Sequence, residues 1–244
     1  MTRIFRGPGA FQFGDLRLPA GSGPHPLAIV IHGGFWRAAY DLEHIGPLCE
    51  ALAAGGIATW NLEYRRVGNG GGWPVTFEDV AEGAVFVEEL AARYPLDVSG
   101  VIAIGHSAGG HLALLLGARR LVKGVVSLAG VADLRLAAEL RLSNDAVKSF
   151  LGEGSYEEAS PIEMLPLGVP QRLIHGLADD VTPHEISARY ARAAARAGDD
   201  VELLSPPDTG HMELIDPLAA VWPAIYRQIE QISAMVRSSS SSVE

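Results

Sequence analysis

Four apolar residues, Val101-Ile102-Ala103-Ile104, run straight into Gly105-His106-Ser107-Ala108-Gly109, and an Ala- and Leu-rich stretch follows. The pattern predicts a buried strand, a very tight turn and a helix, with a serine at the apex of the turn. A sharp strand-to-helix turn holds the serine in strained backbone geometry. Side-chain-free neighbours at Gly105 and Gly109 then let strand and helix close on it. The start of the helix points unpaired N–H groups at whatever attacks or leaves Ser107. Such a serine is a candidate nucleophile. Because the five-residue pattern also arises by chance in a chain with 28 glycines, the rest of the sequence must supply a base, an acid and a loop to receive an oxyanion.

A serine hydroxyl is a weak nucleophile and needs a general base within hydrogen-bond reach and a carboxylate to orient that base. In the fold that such a serine turn marks, these partners are expected in the order serine, acid, histidine, each on a loop at the C-terminal end of a strand. Of the eight histidines, His211 fits best. It follows the last strand through Ser205-Pro206-Pro207-Asp208-Thr209-Gly210 and precedes the terminal helix. His175 ends a strand but precedes the acid, so a structural loop contact is expected of it. His106 and His111 flank the serine, with packing the expected role of His111. His25, His44 and His184 have no supporting context. Asp179 and Asp180 stand together after the strand ending at His175, and spacing does not separate them. One is a candidate acid and the other a charge or cap at the start of the next helix. Of the oxyanion donors, one is the N–H that follows the nucleophile, Ala108. The other is expected from His32-Gly33-Gly34-Phe35-Trp36, where two glycines let the backbone approach a substrate closely.

The elements that must position these residues alternate. Phe11 to Leu18 reads as part of an antiparallel hairpin at one edge, followed by a Pro/Gly-rich loop from Pro19 to Pro26. Strands are predicted at Leu27–Ile31, Ile57–Tyr64, the stretch before Ser107, Lys123–Gly130, Gln171–Gly176 and Val201–Leu204. Helices are predicted at Leu42–Ala54, Pro74–Tyr94, after Ser107, at Pro183–Ala197 and from Asp216 to Val236. The continuous apolar runs suit strands buried on both faces, and the alternation implies right-handed crossovers and a mostly parallel sheet, an α/β fold. The glycines at 68, 70, 71 and 72 do not make a dinucleotide fingerprint, because Trp73 stands where the third glycine belongs and Pro74 opens a helix. Val131 to Pro170 is irregular, with two short helical pieces expected, and suits a small lid or loops over a site, or a simple connection. Residues 1–237 read as one domain. Ser238 to Ser242 with Val243 and Glu244 read as a disordered tail or an expression remnant.

At 244 residues, 48% hydrophobic and 20% charged, the chain has the apolar mass for a full core. Its net charge of −10 argues against nucleic acid or an anionic membrane surface as a partner. The single cysteine, Cys49, cannot form an internal disulfide and is read as a small core residue. With no apolar signal segment and no run long enough to span a bilayer, a cytoplasmic protein is expected. No H-E-x-x-H and no Cys/His cluster appears, so neither metal nor other cofactor is expected. The expected partner is a small-molecule ester or amide substrate. A homodimer is compatible with the sequence, which does not test it.

Four segments together, His32–Trp36, Gly105–Ala113, His175–Pro183 and Gly210–Pro217, resemble the α/β-hydrolase superfamily, in its esterase, lipase and arylformamidase branch. The likeness runs from about Leu27 to the terminal helix, with the four motifs in the family's order, and the short Val131 to Pro170 region then implies a small cap or none. The resemblance implies a triad of Ser107, Asp179 and His211, since the family's acid stands four residues after the histidine of the His-Gly turn. The His-Gly-Gly-Phe-Trp segment is similar to that of kynurenine formamidases, whereas hormone-sensitive-lipase-like esterases usually carry a third glycine. That likeness implies loop donors at Gly34 and Phe35 beside Ala108, with Trp36 and His106 lining the substrate pocket. Hydrolysis of small carboxylic esters through an acyl-enzyme is the function implied. The nearest alternative is an arylformamidase cleaving an N-formyl amide with the same machinery. An alternative of a different class is a ligand-binding protein without catalysis, which in this fold usually lacks the base.

Overall fold

The computed structural model describes residues 1–240 of the chain. Eight strands form one sheet: β1 (Thr2–Phe5), β2 (Phe13–Arg17), β3 (His25–Ile31), β4 (Ala58–Leu62), β5 (Leu96–His106), β6 (Gly124–Leu128), β7 (Gln171–Ile174) and β8 (Val201–Leu204). They lie in the order β1-β2-β4-β3-β5-β6-β7-β8. The hairpin of β1 and β2 pairs antiparallel onto β4, and every later pairing is parallel. The architecture is therefore the mostly parallel α/β sheet expected from the alternation of elements.

The central strands are apolar on both faces, so each must be covered on both sides. One face carries α1 (Gly46–Ala54) and α9 (Trp222–Ser240), whose Leu48, Cys49, Leu52, Ile225, Ile229 and Ile232 pack on Val30, Ile104 and Val126. The other carries α2 (Val75–Val85), α3 (Val87–Ala91), α4 (Ala108–Ala118) and α8 (Glu185–Ala197), packed around Ile29, Ile31, Ala103 and Val125. Buried Cys49 is one of the small residues in the first of these cores, and burial pushes its thiol up to about 12. No helix among the described residues is long and apolar enough to cross a membrane.

Neighbouring strands β3 and β5 run parallel, with Ile31 beside Gly105, but their connections leave in opposite directions. From β3 the chain passes through α1 to β4 on one side, and from β5 through α4 to β6 on the other. That reversal opens a crevice at the C-terminal ends of the two strands, the place where ligands of parallel sheets bind.

The observed elements correct the expected ones in four places. The helix expected over Pro74–Tyr94 is two, α2 and α3, meeting at Phe86. The region 131–170 holds three short helices rather than two, α5 (Leu134–Glu139), α6 (Leu142–Leu151) and α7 (Tyr156–Ala159), and a 3₁₀ turn at Pro161–Met164. The terminal helix starts at Trp222, not Asp216, because a 3₁₀ turn at Met212–Ile215 comes first and Pro223 is tolerated only in a helix's opening turn. It also runs through Ser240, into the stretch expected to be disordered. There the Ser238 and Ser239 hydroxyls bond back to the Met235 carbonyl at 2.8 and 3.1 Å, beyond the buried Val236. The rest of the expected tail, residues 241–244, lies outside the described residues.

Candidate active site

Ser107 sits between β5 and α4 with φ 56° and ψ −118°, backbone geometry that an L-residue keeps only where its surroundings enforce it. Two glycines enforce it. A β-carbon on Gly105 would lie 2.0 Å from the Gly109 carbonyl oxygen, and one on Gly109 would lie 2.1 Å from that of Ile31. Strand, turn and helix are thus in backbone contact. The Ser107 N–H donates to the Leu128 carbonyl at 2.8 Å, tying the turn to the neighbouring strand. Helix α4 is buried from Ala108 to Gly117 and starts at the crevice, so its first-turn N–H groups, Ala108 among them, face the site without intrahelical acceptors.

The loop after β3 lies against this turn. A β-carbon on Gly33 would approach the His106 carbonyl oxygen to 2.9 Å and the Ser107 β-carbon to 3.2 Å. Beyond it Phe35 and Trp36 both hold left-handed backbone, at φ 50° and 56°. Among the described residues no main-chain carbonyl takes the Gly34 or Phe35 N–H. Trp36, expected in the substrate pocket, is instead fully buried. Its ring stacks on Phe150 of α6 at 4.4 Å and meets the His111 ring edge-on at 5.2 Å. It anchors the loop from behind because left-handed backbone at positions 35 and 36 turns its indole into the core. His111 packs there, its Nε2 2.7 Å from the Ala159 carbonyl.

The acid side is built of hydrogen bonds. The Asp179 side chain is fully buried. Its Oδ1 accepts the Val181 and Thr182 N–H groups at 2.9 and 2.8 Å, and its Oδ2 accepts His211 Nδ1–H at 2.7 Å. His175 Nε2 lies 3.2 Å from the same Oδ2. Burial pushes the carboxyl's pKa up, but the bonds from His175, His211 and the Thr182 amide outweigh it and hold it well below the usual aspartate range. Asp180, its neighbour, is exposed. His175 makes the structural loop contacts expected of it, to the Ser187 hydroxyl at 2.7 Å and the Thr182 carbonyl at 2.8 Å. With Nδ1–H spent on Asp179, neutral His211 presents Nε2 as its lone pair.

Ser107, His211, His106, Gly34 and Phe35 line one cavity of about 150 Å³. Tyr40, His44, Val181 and Met212 complete it, and none of these four was singled out from the sequence. His44 had a readable trace, lying on the 3₁₀ turn Leu42–Ile45 whose Leu42 and Ile45 are buried. That pattern turns His44 to the surface without saying that the turn folds back over the crevice. A second cavity of about 470 Å³, lined by Pro47, Glu213, Ile215 and Asp216, shares His44 and Met212 with the first.

Comparison with known proteins agrees with this architecture. The BD-FAE family model matches residues 15–193. Kynurenine formamidase of Danio rerio is 25% identical over 225 residues, covering 84% of this chain and 72% of that protein. Among solved structures, a truncated carbohydrate esterase from gut microbiota superposes with a TM-score of 0.80 at 21% identity, covering 98% of this chain and 96% of the other. Esterase B of Lactobacillus rhamnosis, inhibited by a tributyrin phosphonate, superposes with a TM-score of 0.85 at 17% identity, covering 99% and 87%. With the family model spanning most of a sheet whose order and crevice have just been described, the chain belongs to the BD-FAE family and has the α/β-hydrolase fold.

Proposed function

We propose that this protein is a serine hydrolase that cleaves short-chain carboxylic esters through an acyl-enzyme on Ser107. The observation that carries the reading is the shared cavity. Ser107, at the apex of a strained turn, lines the same 150 Å³ space as a histidine whose other nitrogen is 2.7 Å from a buried carboxylate. In this reading His211 Nε2 takes the Ser107 proton as Oγ attacks the carbonyl carbon. Asp179 stabilises the imidazolium that forms. The carbonyl oxygen, now an oxyanion, accepts from Ala108 N–H and from the Gly34 and Phe35 amides. The tetrahedral intermediate collapses, and the leaving alcohol departs with the proton from His211. Water, deprotonated by the same nitrogen, then releases the acid and restores Ser107.

Cavity sizes support a short acyl group. Ligand pockets commonly measure about 300–1,000 Å³, so 150 Å³ around Ser107 is small. The leaving group must lie on the His211 side to receive its proton. The 470 Å³ cavity is on that side, lined by residues that follow His211 in sequence. The same shape favours a second reading, removal of a formyl group from an aryl amide, and the kynurenine formamidase relative points the same way. Turnover of p-nitrophenyl acetate, p-nitrophenyl octanoate and N-formylkynurenine by the wild type and Ser107→Ala decides between them. The ester reading expects acetate to be turned over best, with Ser107→Ala inactive. A preference for N-formylkynurenine establishes the formamidase reading, and an active Ser107→Ala overturns both.

A further inference from the structure

His44 is one end of a chain of three imidazoles that ends on the proposed base. His44 Nε2 lies 3.3 Å from His106 Nδ1, and His106 Nε2 lies 3.0 Å from the main-chain carbonyl oxygen of His211. Along the chain the ring centroids stand 5.5 and 4.5 Å apart. The acceptors dictate where the protons are. A carbonyl oxygen only accepts, so His106 Nε2 carries a hydrogen and donates it to His211. Burial holds His106 well below the usual histidine range, and the nearby His211 and His44 add to that, so the ring is neutral and Nδ1 is bare. His44 must then turn Nε2–H toward it. Both tautomers follow from the partners each nitrogen meets.

We propose that His106 is a positioning residue for His211, with His44 reinforcing the tautomer that the His211 carbonyl requires of His106. The proposal rests on the reading of His211 as the base. Asp179 holds the His211 ring by Nδ1, and His106 holds its main chain by the carbonyl, so the residue is fixed at both ends. That second point matters because His211 follows Gly210 on a loop and opens a single 3₁₀ turn. The carboxylate fixes the ring at one atom, and the bond from His106 adds a fixed point on the main chain. A displacement of about 1 Å at such a group costs on the order of 100-fold in rate. If His106 only filled space beneath the loop, any side chain of similar size would serve.

Four variants, His106→Leu, His106→Gln, His44→Leu and His44→Gln, test this with p-nitrophenyl acetate kinetics, thermal melting and ¹⁵N spectra of the ring nitrogens. Glutamine keeps an N–H near the place of Nε2, and leucine removes it. His106→Leu is expected to lower kcat about 10- to 100-fold with KM within about threefold, and His106→Gln to recover to within about fivefold of the wild type. Wild-type spectra are expected to show neutral His106 protonated on Nε2. Unchanged kcat in His106→Leu, equal damage in both His106 variants, or an Nδ1–H tautomer overturns the proposal. Should His106→Leu fail to fold, the half-buried His44 end of the chain carries the test. His44→Leu is then expected to lower kcat and shift the His106 Nδ1 resonance, with His44→Gln restoring both; no change in either overturns it. Ser107→Ala separates the two levels. If that variant is inactive while the His106 variants are normal, the positioning role alone falls. If Ser107→Ala turns over substrate, the reading of the site falls with it.

Discussion

The two loops that meet over the cavity are held by different balances of packing and hydrogen bonding. The loop after β3 keeps Phe35 and Trp36 in left-handed backbone, at roughly 1–3 kcal/mol for each such residue. Apolar packing holds it there. The Trp36 indole stacks on Phe150 and meets His111 edge-on, and Arg37 donates to the Ser143 hydroxyl and the Ser143 and Asn144 carbonyls. The loop after β7 carries comparable chemistry without that strain, its Asp179 carboxylate fixed by two amides and two histidines. Packing bears down on a whole loop from a distance, whereas hydrogen bonds act on single atoms. Damage should therefore spread on the first side and stay local on the second.

The largest effects are expected where both sides converge. Ser107→Ala or His211→Ala should each lower kcat on the order of 10⁵- to 10⁶-fold, measured as p-nitrophenyl acetate turnover. One atom on the acid side comes next. Asp179→Asn should lower kcat about 10⁴-fold while the fold is kept, since an amide at Oδ2 stabilises the wrong His211 tautomer. Asp180→Asn, exposed one residue away, should stay within about twofold of the wild type.

On the packed side the expected result is different in kind. Phe150→Ala, in α6 and away from the cavity lining, should cost about 3–5 kcal/mol in stability. It should also lower kcat by a further factor on the order of 10–100 as the Phe35–Trp36 turn relaxes. Denaturant melts and kinetics on the same samples separate the two effects. A Phe150→Ala variant that melts early but keeps its kcat would show that the turn holds itself.

The smallest effect expected is in pH dependence, and it separates the same two sides. Burial pushes His111, beneath Trp36, down to about 4 from 6.5, against the bond to the Ala159 carbonyl. Between those values the unfolded chain binds a proton that the folded chain refuses, so stability falls as pH drops through that window. His111→Leu should flatten the decline in melting temperature there. Asp179, with its pKa lowered, gives stability that is present above the ordinary aspartate value of about 4 and lost only as pH falls further below it. Asp179→Asn should therefore leave the upper window unchanged and flatten the decline below it.

This contrast also explains what could be read from the sequence. Strands β3 and β5 were legible because their continuous apolar runs suit strands buried on both faces of a parallel sheet. The turn at Ser107 was legible because its glycines make the backbone contacts found between β5, α4 and β3. Asp179 and Asp180 could not be told apart by residue chemistry, since the donors that single out Asp179 converge from His175, His211 and its own loop only in the fold. Trp36 was placed on the wrong side of its loop, because a sequence does not announce two consecutive left-handed residues without glycine. His44 was missed for a related reason. Its partner, His106, lies 62 residues away, and only the crevice between β3 and β5 brings the two together.

The central claim is that Ser107 is the nucleophile, and covalent labelling tests it most directly. Incubation with a fluorophosphonate followed by peptide mass spectrometry should place one adduct per chain on Ser107, with none formed by Ser107→Ala or after prior denaturation. An adduct on another residue, or a wild-type enzyme that hydrolyses p-nitrophenyl acetate undiminished after exposure to the reagent, would contradict it.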